Sequence, residues 1–327
     1  MGISDVITLL GGVALFLFGM SLMGDGLKKV AGNKLELVLY RLSSTPIKGV
    51  LLGTGVTAVI QSSSATSVMV VGFVNSGMMQ VKQAIGVVMG AILGTSITGW
   101  LLCLSDLSGG SGWIDLLSTS TLTGLVAVIG IVLRMAGKRQ STLAIGNILM
   151  GFAVLMFGMS AMSGAVAPLK ESAAFTGLLT CFSNPFVGIL VGIIFTSVLQ
   201  SASAAVGIMQ ALAITGAVTF EVAFPIIMGV AIGAAVPVLL SALGANICGR
   251  RTAFVYLLID MLGVAIWASV FYAVNAFAHF SFMTMPMTTV SIALLNTLFR
   301  LATVVVLTPF IGHLERFVCF LIPDKHG

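Results

Sequence analysis

Apolar residues run through this chain in long, nearly unbroken stretches, without the alternation of a half-buried strand or the striping of a surface helix. Val6 to Met23, Leu116 to Leu133 and Ile226 to Leu243 each approach the roughly 20 residues that a helix needs to cross hydrocarbon. The pattern predicts spans at about 6–24, 83–104, 116–133, 142–166, 221–247, 252–279 and 288–312. Two other apolar runs are too short. From Pro46 to Ile60 there are 15 residues, about 22 Å of helix against hydrocarbon about 30 Å thick. A polar break at Gln61 to Ser64 follows, then a second short run from Ala65 to Val74 that ends at Asn75-Ser76-Gly77. The whole reads as a re-entrant helical hairpin, which returns to the side it left.

The pattern repeats at a constant offset of 139 residues, the difference between Gln61 and Gln200. Phe18, Gly19, Met20 and Ser21 fall on Phe157, Gly158, Met159 and Ser160, and Pro46, Gly49, Gly53 and Thr57 on Pro185, Gly188, Gly192 and Thr196. Gln61, Ser62, Ser64 and Ala65 fall on Gln200, Ser201, Ser203 and Ala204, and Gly77, Ala84, Gly90 and Gly94 on Gly216, Ala223, Gly229 and Gly233. Chance matching of apolar letters does not place Pro, Gln and several Gly in register. The chain therefore divides into a first repeat, 1–138, with a hairpin at 46–77; a second, 139–280, with a hairpin at 185–216; and an extra C-terminal span and tail, 281–327. Three crossings per repeat is an odd number. The second copy should thus enter the membrane upside down, an all-α polytopic fold of two inverted-topology repeats of the kind transporters use.

Composition agrees with the bilayer as solvent: 58% hydrophobic residues, 8% charged and a mean hydropathy of +1.16, where soluble domains carry about 25% charged residues. The net charge of +5 has a plainer use than nucleic-acid binding, which is to set topology. Lys28, Lys29, Lys34, Arg41, Lys48, Lys82, Arg134, Lys138, Arg139, Arg250, Arg251, Arg316 and Lys325 fall in loops expected to be cytoplasmic, with the N-terminus outside and the C-terminus inside. Lys170 alone would lie in an external loop, and the Gly- and Ser-rich link 105–115, with Asp106 and Asp115, would also be external. The first run, preceded by Asp5 and followed by no clear cleavage site, reads as a retained span. Cys103, Cys181, Cys248 and Cys319 form no CxxC and point to neither a metal knuckle nor a disulfide framework.

With opposed hairpins the tips Gln61-Ser62-Ser63-Ser64 and Gln200-Ser201-Ala202-Ser203 should meet near the midplane. A break at that depth survives only where it lines a protein cavity. The half-helix that follows begins with unpaired N–H groups and a positive dipole end, which suits an anion. Ser62, Ser64, Ser201 and Ser203 have the residue type of helix N-caps and offer hydroxyl donors. The segment Gly90 to Thr98 and its copy Gly229 to Pro237 invite unwinding. Exposed carbonyls there, with Thr95, Ser96 and Thr98, would suit a hard cation such as sodium. No Lys or Arg is expected near either tip, so a buried dianion would need co-bound cations. Asp260 and Arg300 sit inside spans and are either functional or paired with each other. His279, His313 and His326 fall at span ends or in the tail.

The paired tips, QSSSATS at 61–67 and QSASAAVG at 200–207, with GTSIT at 94–98, make the sequence resemble the type II sodium/phosphate cotransporters and their bacterial relatives over roughly residues 9–275. The resemblance implies phosphate bound between the tips by Gln61, Ser62, Ser63, Ser64, Gln200, Ser201 and Ser203. It also implies several co-transported sodium ions, with Thr57, Thr95, Ser96, Thr98, Thr196 and Gly233 as candidate ligands. Ala202 stands where the family usually has serine, and Gly233-Ala234 replaces a Gly-Thr pair. Many bacterial members continue into a PhoU-like helical domain; this sequence ends at Gly327, and regulation through such a domain is not expected.

The expectation is a multi-pass cell-membrane symporter for phosphate, with lipid as its solvent, a homo-oligomer as a further possibility, and no nucleic-acid partner. Sulfate or another oxyanion is the alternative cargo, and an anion channel the alternative class; a channel would need a continuous polar lining, which the sequence lacks. An intramembrane enzyme would need a base or metal near its serines, and neither HExxH nor GxSxG with placed partners appears.

Overall fold

Each predicted span is a helix in the computed structural model, which describes residues 3–31, 45–106, 119–166, 168 and 181–323. Lys34, Arg41, Asp115, Lys170, Lys325 and His326, with most of the link 105–115, lie outside the described residues. In chain order the helices are α1 (Ile3–Ala31), α2 (Pro46–Ile60), α3 (Ser63–Asn75), α4 (Val81–Leu102), α5 (Thr119–Ala136), α6 (Gln140–Val166) and α7 (Pro185–Leu199). They continue as α8 (Ala202–Ala213), α9 (Phe220–Gly233), α10 (Ala235–Ser241), α11 (Ile247–Ala278), α12 (Thr289–Leu307) and α13 (Ile311–Leu321). Six stretches are long and apolar enough to cross a membrane: Ile3–Val30, Val81–Leu102, Gln140–Ala165, Phe220–Ser241, Ile247–Ala278 and Thr289–Leu321.

Both short runs are helical hairpins. Pro46 and Pro185 open α2 and α7 at the position where a missing N–H costs nothing. Thr45 accepts a hydrogen bond from the Lys48 amide, and Asn184 accepts from the amides of Phe186 and Val187. Each hairpin ends on a glycine in the left-handed region, Gly77 (φ 76°) and Gly216 (φ 70°), again 139 residues apart.

The repeated glycines explain how the hairpins seat. A Cβ at Gly53 would fall on the carbonyl of Val87 and one at Gly90 on that of Val50, so α2 and α4 touch backbone to backbone. The same two contacts recur between α7 and α9, Gly192 on Ile226 and Gly229 on Ile189. Helices α1 and α6 occupy equivalent places in the two copies and pack against each other along Gly12, Gly19, Gly26, Gly151 and Gly158. Gly12 meets Gly158 and Gly19 meets Gly151, so the helices run antiparallel, and the 139-residue shift turns one contact into the other. An inverted pair of copies produces this pattern.

Two expectations need correction. The region Gly90 to Thr98 is not unwound: α4 runs unbroken from Val81 to Leu102, its glycines spent on close packing against α2. The break is confined to the second copy, at Ala234 between α9 and α10, where Pro237 has no N–H to give back to the preceding turn. The last span also ends sooner than expected. Pro309 interrupts it, and α13 follows with Ile311, Leu314 and Val318 buried on one stripe.

Candidate hairpin-tip site

The two tips share a backbone design. The last turn of α2 closes with Gln61 at φ 59°, ψ 25°, its N–H on the Thr57 carbonyl at 2.7 Å; α7 closes with Gln200 at φ 53°, ψ 24°, its N–H on Thr196 at 2.7 Å. A non-glycine residue in this region carries local strain of about 1–3 kcal/mol, retained where surrounding structure compensates. The next helix starts at once. Ser62 caps α3 by accepting from the Ala65 amide at 3.1 Å, and Ser201 caps α8 by accepting from Ala204 at 3.2 Å. Because each cap oxygen spends a lone pair on the backbone, its proton stays free for a ligand. Ser64 and Ser203 lie inside the first turns and are not caps; Ser64 sits 3.3 Å from the Ser62 hydroxyl.

These residues enclose one cavity of about 280 Å³, lined by Gln61, Ser62, Ser63, Ser64, Gln200, Ser201, Ala202 and Ser203 from the two tips, with Ser21, Asp25 and Lys28 from α1. All seven tip residues expected to form a site are thus brought together. The contribution of α1 was not foreseen. Lys28 contradicts the expectation that no basic residue lies near the tips, although its ammonium is 3.3 Å from Asp25 and half-exposed. Three residues apart on a helix, Asp25 and Lys28 were readable as a pair; nothing local said that α1 faces the tips.

The tips are not equivalent in their side chains. Gln61 is buried, gives its Nε2 proton to the Ala58 carbonyl and accepts from Thr98 of α4 at 2.8 Å. Thr98 is also 3.5 Å from Ser203, so one hydroxyl joins both hairpins. Gln200 instead stands exposed in the cavity. Ser63 reaches the Tyr256 hydroxyl of α11 at 3.1 Å, whereas its counterpart Ala202 has no such group.

The cation candidates lie behind the tips and do not line the cavity. Thr57 donates to Thr66 at 2.9 Å, Thr95 donates to the Ala91 carbonyl, and Gly233 packs on Thr196. The hydroxyls of Ser96, Thr196 and Ser67 are buried without a hydrogen-bond partner, an arrangement that normally calls for a ligand or water. Asp260 and Arg300 are both fully buried and interact electrostatically, but they make no direct ion pair. Arg300 donates to Asn296 Oδ1 at 3.0 Å and to the Ile92 carbonyl at 3.3 Å. Gln210, buried in α8, was not singled out in the sequence; it donates to the carbonyls of Gly99 and Thr289 and ties the second hairpin to α4 and α12.

The sequence profile of the family described as Na+/Pi-cotransporter matches residues 15–164 and again 155–292. The protein YqeW of Bacillus subtilis strain 168, itself uncharacterized, is 24% identical over 314 residues, 96% of this chain and 97% of that protein. YjbB of Escherichia coli strain K12, whose name marks it as a candidate inorganic phosphate exporter, is 26% identical over 322 residues. That match takes in 97% of this chain but 56% of YjbB, so the chain spans little more than half of that relative's length. The human sodium-dependent phosphate transport protein 2B is 34% identical over 105 residues, 32% of this chain and 15% of that protein. No solved structure matches.

Proposed function

The chain belongs to the Na+/Pi-cotransporter family, and from that membership we propose that it carries inorganic phosphate across the cell membrane together with sodium, binding the anion between the two hairpin tips. The observation that carries this reading is the shared cavity, in which two glutamines, five serines and two helix N-termini converge.

Charge arithmetic supports the coupling. Two helix N-termini supply roughly half a charge each. Lys28 at the rim is offset by Asp25, and Arg300 behind the first tip is accompanied by Asp260. A phosphate dianion is therefore left about one charge short of neutrality, and an uncompensated charge out of water costs many kcal/mol. Co-bound sodium removes the deficit. The partnerless hydroxyls of Ser96 and Thr196, both among the residues suggested by sequence, are the oxygen ligands free to take it. Opposed copies of the hairpin give alternating access its two mouths.

The test is uptake of radiolabelled phosphate by proteoliposomes with and without a sodium gradient. Uptake driven by inward sodium and abolished in choline is the expected result. Sodium-independent uptake would overturn the coupling, and uptake of sulfate in preference to phosphate would overturn the choice of cargo.

A further inference from the structure

Behind the first tip a chain of polar groups leads from the cavity into the protein. Ser63 lines the cavity, its hydroxyl lies 3.1 Å from that of Tyr256, and the Arg300 guanidinium lies against the Tyr256 hydroxyl. Tyr256 and Arg300 are both at 0% exposure. We propose that Arg300 and Tyr256 are positioning residues that fix the direction of this chain, so that Ser63 can only offer its proton to the cavity. The identity of the anion rests on the reading above; the direction of the chain does not.

The argument is one of donors and acceptors. A guanidinium has five N–H donors and no lone pair. Facing it, the Tyr256 oxygen turns its lone pairs toward the positive charge and its proton away, toward Ser63. The Ser63 oxygen then accepts, and its own proton is left to point into the cavity. Without the cation, the Tyr–Ser pair could run either way, and in the reversed sense Ser63 would present lone pairs to the ligand, repelling an anion. Hydroxyl chains at low dielectric reinforce whichever direction is imposed on them.

The placement of Arg300 fits such a duty. It is held by Asn296 and the Ile92 carbonyl, with Nη2 left without an acceptor, and it forms no direct ion pair with Asp260. Its charge is thus not cancelled by a contacting carboxylate and can act on Tyr256. The second copy has Ala202 in place of Ser63, so the device serves the first tip alone. An ionisable group kept this deep in a membrane protein calls for a role.

The test is apparent phosphate affinity, read by uptake and by phosphate-dependent thermal stabilisation of the full-length protein in sodium. Tyr256→Phe should raise the apparent KM about five- to hundred-fold while the maximal rate stays within roughly twofold of wild type. Ser63→Ala should do the same, and the double variant should be no worse than either single, because both remove one chain. Arg300→Gln should resemble Tyr256→Phe, and Arg300→Lys, which keeps a donor-only cation, should restore most of the affinity. If Arg300→Gln fails to reach the membrane, the Tyr256 and Ser63 variants still decide. An unchanged KM in Tyr256→Phe, or additive losses in the double variant, would overturn the proposal. A wild-type protein stabilised by no oxyanion would overturn both this proposal and the transport reading. One stabilised by sulfate and not phosphate would overturn the cargo alone, and the chain would stand or fall on the Tyr256→Phe loss measured with sulfate.

Discussion

Thr98 gives its hydroxyl proton to the amide oxygen of Gln61 at 2.8 Å, and through that one bond α4 fixes the tip of the first hairpin. The same hydroxyl lies 3.5 Å from Ser203 of the second hairpin. Thr98→Val keeps the shape and removes the hydroxyl, leaving the Gln61 oxygen buried and unpaired at a cost of about 1–3 kcal/mol. Lower thermal stability and weaker phosphate uptake should follow together, and Thr98→Ser should recover both. If Thr98→Val transports phosphate with wild-type affinity, Gln61 is not held as described.

The two glutamines should part company on substitution. Gln61 is buried and bonded at both ends of its amide, while Gln200 is exposed in the cavity. Gln61→Ala should therefore reduce both stability and transport, whereas Gln200→Ala should reduce phosphate affinity with little change in unfolding temperature. Thermal scans of the two purified variants beside their uptake curves separate these cases. Equal destabilisation by both would mean that Gln200 has a buried role in another state of the protein.

The duplication, the hairpins and the tip residues were legible in the sequence because each rests on a local rule: helix length against hydrocarbon, Pro at a helix start, a polar break inside an apolar run. Gln61, Ser62, Gln200 and Ser201 take up the predicted tip positions for that reason. What the sequence left unread depends on which helices become neighbours. Ser21, Asp25 and Lys28 enter the cavity because α1 packs beside the tips. Arg300 comes to stand behind Ser63 through Tyr256, across nearly the whole chain length. The glycines of α4 were misread as an unwinding signal because glycine serves close packing and broken helices alike, and only the contact with α2 distinguishes them.

That contact has its own consequence. Gly53→Ala and Gly192→Ala place a methyl on the carbonyls of Val87 and Ile226 and force their helix pairs apart, which should cost about 1–3 kcal/mol of stability each. Gly55 is two residues from Gly53 and exposed, and a methyl added there would meet nothing within 4 Å. Gly55→Ala should be neutral or stabilising by about 0.5–1 kcal/mol, since alanine orders a helix at less entropic cost. Thermal unfolding in detergent checks all three, and a Gly53→Ala variant as stable as Gly55→Ala would mean that the helices are not in backbone contact.

Sodium dependence tests the charge balance directly. The tip serines and glutamines are neutral, Lys28 is matched by Asp25, and the two helix ends supply about one charge between them. A dianion bound there without a cation keeps roughly one uncompensated charge, so the free energy of binding must depend on what accompanies it. Exchanging sodium for choline at constant ionic strength removes a small hard cation and leaves general screening unchanged. Apparent phosphate affinity should fall by at least about tenfold, which corresponds to about 1.4 kcal/mol. By linkage, phosphate should raise the apparent affinity for sodium by the same factor. Ser96→Ala and Thr196→Ala remove the two free buried hydroxyls, so each should weaken the sodium dependence more than it weakens phosphate binding at saturating sodium. Phosphate affinity that is identical in sodium and choline would mean that the missing positive charge comes from the protein itself, with Lys28 released from Asp25 as the first group to substitute.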